Sequence, residues 1–465
     1  MSDYTYKELK TNVDCVQSIE EFHMVQEINQ HVHMKMTAIV KEAYKDKYVK
    51  SATKEEQIKV TVDKDVLFQG MIEMVEVKQE GELYYLVLKG ISNSYETDLV
   101  KKRRSFQDKS LSYHDMVKSI LSEYSHGAVI DTASQGTAIG TMQLQYYETD
   151  WNYIKRMASH FNEGIVPNCT MNGAKIYFGV PTGINIGKIE DHKYHITKNL
   201  AEYRKASNNT NKKVTEKDST VIHITTGQNY QIGDKGTFNG ARLYIRRKEV
   251  NMSRGILRFQ YEFSTKNGMS CPTIFNEKMT GVSVKGKVLE RVRDHLKIHL
   301  EIDKKQDRET AWLFPYATMY ASEGNSGWYC MPEENDTVLV YFPDTDAGNA
   351  VGTSSVRVQG SPNDKIDNPQ VKYFRTADGK EVMFSPEEIV ITCSDNAIFI
   401  NMDQNSGITI SSSENITISS DKEIRIEAEE EITISAEEQI DITCKSSEIK
   451  IDGDINIRGD EVRIN

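Results

Sequence analysis

Few residues of this 465-residue chain are spaced for chemistry. His31 and His33 lie two apart, and on a strand that places two imidazoles on one face, within reach of one metal ion. No third ligand is near in sequence and Lys35 continues the same face, so the pair reads as a solvated strand face. His295 and His299 are four apart on an alternating run, about 13 Å on a strand, too far to share an ion. His192 and His195 follow Asp191, but without the Cys or H-E-x-x-H helix that makes such spacing a metal motif. The glycine-rich stretch 179–187 lacks the Gly-Lys-Ser/Thr of a phosphate loop and reads as turns. Acidic runs such as Glu429, Glu430 and Glu431 are common, yet glycoside hydrolysis needs two carboxylates across a cleft, one of them desolvated. The sequence therefore offers no catalytic residue, no metal site and no cofactor.

The elements behind these residues are mainly β. Val, Ile, Thr and Tyr are plentiful and long helical patterns are few. The net charge of −12 is uneven. Residues 371–465 carry 21 acidic and 9 basic side chains, whereas residues 1–370 carry 48 of each sign. A neutral body with an acidic tail has no electrostatic footprint for nucleic acid. No run of about 18 apolar residues is present, so no membrane-spanning helix is expected. The start has no apolar stretch of the secretory kind. The six cysteines are scattered without C-x-x-C spacing, which points to synthesis in a reducing cytosol.

The tail holds the clearest pattern. Ile408/Ile410, Ile416/Ile418, Ile424/Ile426, Ile432/Ile434 and Ile440/Ile442 repeat on a strict period of eight. The register slips by one to Ile449/Ile451 and continues as Ile455/Ile457 and Val462/Ile464. Ile389/Ile391 and Ile398/Ile400 read as irregular early members. Ile-x-Ile puts two β-branched side chains on one face of a strand. On a helix the same two would lie about 200° apart. Eight residues make one short strand and a bend, which cannot bury its own isoleucines. Three chains giving one strand each would close a triangular prism with an isoleucine interior. The tail, residues 376–465, is therefore expected to be a trimeric β-helix needle. Its coat would carry roughly −36 per trimer, screened within about 8 Å at physiological salt.

Residues 275–360 read as a small barrel. Leu296, Ile298, Leu300 and Ile302 share one face of a long alternating run, and further short strands follow between Gly, Asn and Asp turns. This fits an OB-fold barrel, with a proline-containing linker over 361–375. Its segment from Pro332 through Val338 to Phe342 reads P-x-x-x-D-x-V-L-V-x-F. Upstream stand Tyr146, Glu148, Thr149, Asp150, Tyr153, Arg156, Gly164 and Ile165. In this order of parts, followed by isoleucine octads, the chain resembles the spike proteins of contractile injection machines. These are the valine–glycine repeat protein G (VgrG) of type VI secretion and the tail spikes of contractile phages. The chain departs from longer members in stopping at Asn465 with the octads.

The resemblance implies a hub of two related β-barrels with helical insertions over residues 1–270. Helices are predicted near 112–125, with Met116, Ile120 and Leu121 inward, and over 150–162, with Asp150 as N-cap and Trp151, Ile154 and Ala158 facing one way. It also implies a homotrimer that caps an inner tube and pierces the target envelope on contraction. Its implied partners are the inner-tube protein, baseplate proteins, a small PAAR-like tip protein and carried effector cargo, with only transient contact with a target membrane. The chain would be made in the cytoplasm, assembled into the particle and delivered outward. The alternative is a β-helical polysaccharide-binding or cell-wall-degrading protein. That reading expects aromatics on the needle flank, whereas the last Trp is Trp328 and the last Phe is Phe399.

Overall fold

Alternating apolar runs recur through the first 264 residues, and most of them pair into one large sheet. The structure, a computed structural model, describes residues 4–461 apart from 45–46, 54, 190–193, 202, 205–214, 321–325, 358–364, 366, 395–396, 452 and 459–460. His192, Val462 and Ile464 lie outside the described residues. The chain divides into two units, Met1–Gln359 and Gly360–Asn465.

In the first unit a twelve-stranded sheet runs from Leu9–Thr11 through Gln57–Val62, Asp65–Glu80, Leu83–Ser92, His33–Val40 and Val16–Glu27. It continues through Ala241–Ser253, Ile256–Ser264 and Thr220–Thr226 to Tyr194–Lys198. The strand Ala241–Ser253 is the junction. One edge pairs Ile256–Ser264 throughout; the other pairs Lys235–Phe238 with one half and Val16–Glu27 with the other. A register shift between Ile245 and Arg247 falls where the partner changes. Over residues 1–270, where two related β-barrels with helical insertions are expected, the large sheet runs unbroken through this strand. Thirteen residues suffice to serve two partners on one edge, so the chain has no need to end a sheet there.

A smaller module sits between sheet strands in sequence. It holds the helices Tyr113–Leu121 and Asp150–Ser159 and short sheets of their own. Met116, Ile120, Leu121, Trp151, Ile154 and Ala158 are buried together, as the helical spacing requires. The N-cap of the second helix is Thr149, whose Oγ1 accepts from the Asn152 N–H at 3.2 Å, and not Asp150. Ser112 caps the first helix in the same way.

Five strands then close a barrel: Val282–Val292, His295–Leu300, Leu313–Ala317, Val351–Ser355, Thr337–Phe342 and back to the first. Leu296, Ile298, Leu300, Val338, Val340 and Phe342 are fully buried in it. At Gly286 a Cβ would stand 2.4 Å from Ile298 Cγ2, so only glycine lets these two strands approach.

The second unit is built differently. Lys372–Arg375, Glu381–Phe384, Glu388–Ser394, Ile398–Asp403 and Gly407–Ser412 form an antiparallel meander. A second meander joins Ile440–Cys444, Ser447–Ile451 and Ile455–Arg458. Residues 413–439 between them are extended, with bends at 413–414, 421–422, 429–430 and 437–438, and no strand partner. The tail expected over 376–465, strict octads with irregular members at either end, has a meander at each end. Ile400 pairs with Ile410, and Ile442 with Ile449, inside one chain. Tight turns there return the chain to its neighbour, whereas the octads advance without turning back. Among the described residues no helix is long and apolar enough to cross a membrane.

Candidate functional site

The residues singled out by sequence gather in two kinds of place. The first is a buried clamp where sheet, helical module and barrel meet. The strand Gln143–Thr149 leads directly into the helix Asp150–Ser159. Because Thr149 caps that helix, the Asp150 carboxylate is free to turn away, and it is fully buried. Lys102 and Arg104 lie two apart, on one face of the strand Lys101–Phe106. Lys102 Nζ donates to Asp150 Oδ2 at 2.7 Å and Arg104 Nη2 pairs with Oδ1. Tyr124 donates its hydroxyl to Oδ2 at 2.6 Å, and Gln145 Nε2 donates to Oδ1 at 2.8 Å. Lys102 and Arg104 also hold Glu123.

Electrostatics explains why the buried charge persists. Burial opposes ionisation of Asp150, but the Arg104 charge and the hydrogen bonds from Lys102, Tyr124 and Gln145 outweigh it and hold the carboxyl below its usual range. Burial likewise opposes the Lys102 ammonium, yet its bonds to Asp150 and Glu123 push it above the usual lysine range. Both groups are thereby driven away from neutrality, which suits an ion-pair clamp and not proton transfer near pH 7.

Glu148 and Arg156 form the second half of the clamp. Arg156 Nε and Nη2 reach the two Glu148 oxygens at 2.9 and 2.8 Å, and Nη2 also donates to the Leu144 carbonyl at 2.7 Å. The arginine is 4% and the glutamate 11% exposed, so this fork is nearly dry. Asn276, just before the barrel, donates to Glu148 Oε2 at 3.2 Å and to the Tyr146 carbonyl at 2.9 Å. The Tyr146 ring packs against the barrel core. Tyr146, Glu148 and Arg156 thus act together. Gly164 acts elsewhere: a Cβ there would stand 2.3 Å from Ile28 Cγ2. Asn29 exchanges bonds with Ile165 beside it, at 2.8 and 2.9 Å, and so docks the module on the large sheet. Pro332, Val338 and Phe342 are buried in the barrel.

The second place is the isoleucine ladder. Ile416, Ile424 and Ile432 are 54%, 51% and 52% exposed, and Ile418, Ile426 and Ile434 are 72%, 69% and 69% exposed. The ladder repeats in geometry as it does in sequence. Ile408, Ile410, Ile442, Ile451 and Ile455 are exposed too, while Ile440 and Ile449 are partly covered. Solvated isoleucines in such a row are unusual on a monomer, and a contiguous apolar row marks an interaction surface.

The histidines do not form a site. His31 Nδ1 bonds Ser94 Oγ at 2.8 Å, Nε2 lies 3.4 Å from Asp98, and the ring stacks on Trp151. His33 is exposed near Glu73. His295 meets Asp294, and His299 the Asp303 carbonyl. His195 stacks on His223, with ring centroids 4.1 Å apart, as a cross-strand pair. Among the described residues no group of three or more His, Cys, Asp or Glu side chains is placed to hold a metal.

Sequence reasoning missed Lys102, Arg104, Tyr124, Gln145 and Asn276. Residues 101–104 are four consecutive basic residues, with no carboxylate beside them in sequence. Only the two-residue spacing of Lys102 and Arg104, on a strand facing an acidic helix end, could have signalled the clamp.

No family model matches the chain, and no curated protein matches its sequence. Solved structures do. The fold is similar to that of the E. coli c3393 protein, a component of the type VI secretion system with structural similarity to the T4 bacteriophage tail proteins gp27 and gp5. That likeness has a TM-score of 0.53 at 11% identity, over 75% of this chain and 99% of that one. The VgrG–PdpA complex of Francisella, in its half-lidded form, gives 0.49 at 9% identity over 84% and 83%. A tail protein of Neisseria meningitidis gives 0.42 at 11% identity over 57% and 98%. The first of these likenesses carries the assignment of fold: a mainly β fold shared with the c3393 protein, with a small closed barrel in this chain.

Proposed function

We propose that this chain is the hub and spike subunit of a contractile injection machine, and that three copies assemble to cap an inner tube and pierce a target envelope. The observation that carries the reading is the isoleucine ladder. Residues 413–439 are extended, bend every eight residues and expose their isoleucine pairs at constant spacing, with no strand partner in their own chain. Three such strands supply one another's missing neighbours and bury the row along a common axis, leaving Glu, Asp and Ser outside. The shared fold with the c3393 protein supports the hub assignment for the first unit. The barrel's strand order, first-second-third-fifth-fourth and back to the first, supports the OB-fold reading.

The role is mechanical and not enzymatic. The clamp at Glu148, Asp150 and Arg156 is a brace: its oxygens and nitrogens are occupied by one another. A neutral first 370 residues suits docking to tube and baseplate proteins, with a PAAR-like tip protein and effector cargo as further partners. The particle itself is a type VI system, a phage tail or a tailocin.

Size-exclusion chromatography with light scattering tests the assembly. Three times the chain mass of 53.0 kDa is expected at micromolar concentration. A folded, monodisperse monomer overturns the proposal.

A further inference from the structure

Lys248 stands mid-strand in Ala241–Ser253, paired with Gln26 across one edge and Tyr261 across the other, and is only 1% exposed. Lysines this deeply buried are usually paired with a carboxylate. Lys248 instead faces uncharged groups. Its Nζ donates to Asn229 Oδ1 at 2.6 Å and to Gln231 Oε1 at 3.4 Å, and lies 5.7 Å from the centre of the Phe259 ring. Burial lowers the lysine to about 8, with Cys169, Asp234 and Asp65 opposing the shift. At that value roughly a tenth of the molecules carry a neutral amine at pH 7. A desolvated neutral lysine is a nucleophile.

The group in front of it is a carboxamide carbon. Asn229 lies between the strands Thr220–Thr226 and Lys235–Phe238, 19 residues before Lys248. With a carbonyl bond of about 1.23 Å and ordinary hydrogen-bond geometry, Nζ stands about 3.4 Å from Asn229 Cγ. Reacting atoms in a near-attack pair are about 3–3.5 Å apart. The Gln231 amide is held more loosely, so Asn229 is the group attacked. Asn229 also lines a cavity of about 430 Å³, which gives a small leaving molecule somewhere to go.

We propose that Lys248 and Asn229 join in an intramolecular isopeptide bond. The amine Nζ adds to Asn229 Cγ, the Cγ–Nδ2 bond breaks, and ammonia leaves. The proton shed by the lysine ammonium departs with the ammonia, so the step needs no oxidant, reductant or co-reactant. Asp234 is 4% exposed and its charge acts on Lys248, so this carboxylate can carry that proton from Nζ to Nδ2. The product ties the segment before Lys235–Phe238 covalently to the strand at the junction of the large sheet. The bond does not rest on the hub reading and stands or falls apart from it.

Intact-mass spectrometry of the full chain after incubation at pH 9, followed by tryptic mapping, tests the bond. The chain should be lighter by one ammonia. Mapping should give a branched peptide that joins Asn229 to Lys248, with no cleavage after Lys248. Lys248→Met removes the nucleophile. Asn229→Ala removes the electrophile from a partly exposed position, and so remains informative where the core variant fails to fold. Both variants should keep their full mass and give no branched peptide. A wild type at full mass overturns the proposal, and so does a branch at Gln231. An ammonia loss that persists in Asn229→Ala, as a succinimide at Asn239-Gly240 would give, with no branched peptide from the wild type, overturns it as well.

Discussion

The barrel strand His295–Leu300 and the octads of residues 413–439 are written in the same alternating code, yet they end in opposite states. Leu296, Ile298 and Leu300 are fully buried, whereas the octad isoleucines are between 51% and 72% exposed. Alternation fixes that a segment is a strand and which face is apolar; it does not say where the partner comes from. In the barrel, short turns bring strands of the same chain alongside. In the octads each repeat moves on without a strand partner, and in the proposed assembly that partner is another chain. The first unit carries its own core, and in the proposed trimer the octad segment carries one third of one.

The sharpest way to break that contrast is to charge the ladder. Ile424→Asp with Ile432→Asp should abolish assembly. Burial of two isoleucines in three copies is worth roughly 9–18 kcal/mol, before the cost of burying carboxylates. Sedimentation should give monomers while the first unit still unfolds at its original urea midpoint. An intact trimer would show that the ladder is not the interface.

Next comes the clamp. Arg156→Met should destabilise the first unit by about 3–5 kcal/mol, because it strands the Glu148 charge. The double variant Glu148→Leu/Arg156→Met should recover much of that loss in urea unfolding. If the double loses as much as the single variants summed, the fork is not a coupled pair. Ile298→Ala in the barrel should cost about 2–5 kcal/mol on the same assay and leave the oligomeric state untouched. The same residue type then controls folding in one region and assembly in the other.

Local features were the legible part of this sequence. The helix at Asp150–Ser159 was readable from Trp151, Ile154 and Ala158, and the barrel from Leu296, Ile298 and Leu300. The octads were readable from period alone. What pairing across long separations decides was not. The alternation of residues 241–253 declares a strand but not that it bridges Val16–Glu27 and Lys235–Phe238 along one edge. The N-cap fell one residue early, on Thr149, and the Asp150 carboxylate, freed from capping, is held by Lys102 and Arg104 from 48 and 46 residues away. The clamp escaped notice for the same reason: Lys and Arg look solvated until the tertiary fold supplies a buried carboxylate.

Acid should separate the two regions by the smallest of these effects. All eleven histidines precede residue 300, so the octads and their flanking meanders have none. Burial lowers both His31 and His160 to about 4, from an unfolded value near 6.5. Between those values the unfolded chain binds more protons than the folded one. Their contribution is thus fully present above about pH 6.5 and is lost as pH falls towards 4. Each histidine adds a slope of at most ~1.4 kcal/mol per pH unit. Asp150, held below the usual carboxylate range, adds to the loss only further down, below its unfolded value near 3.9. All three tryptophans, Trp151, Trp312 and Trp328, lie in the first unit, so their fluorescence follows that unit alone. Urea midpoints read by tryptophan should fall between pH 7 and 5, and trimer mass by light scattering should stay constant. His160→Gln should flatten the fluorescence slope, leaving the shares of His31 and of His223, which burial also lowers. An unchanged slope would mean that His160 is protonated at no cost in the fold, and a trimer that dissociates over the same range would tie assembly to the histidine-bearing unit instead of to the ladder.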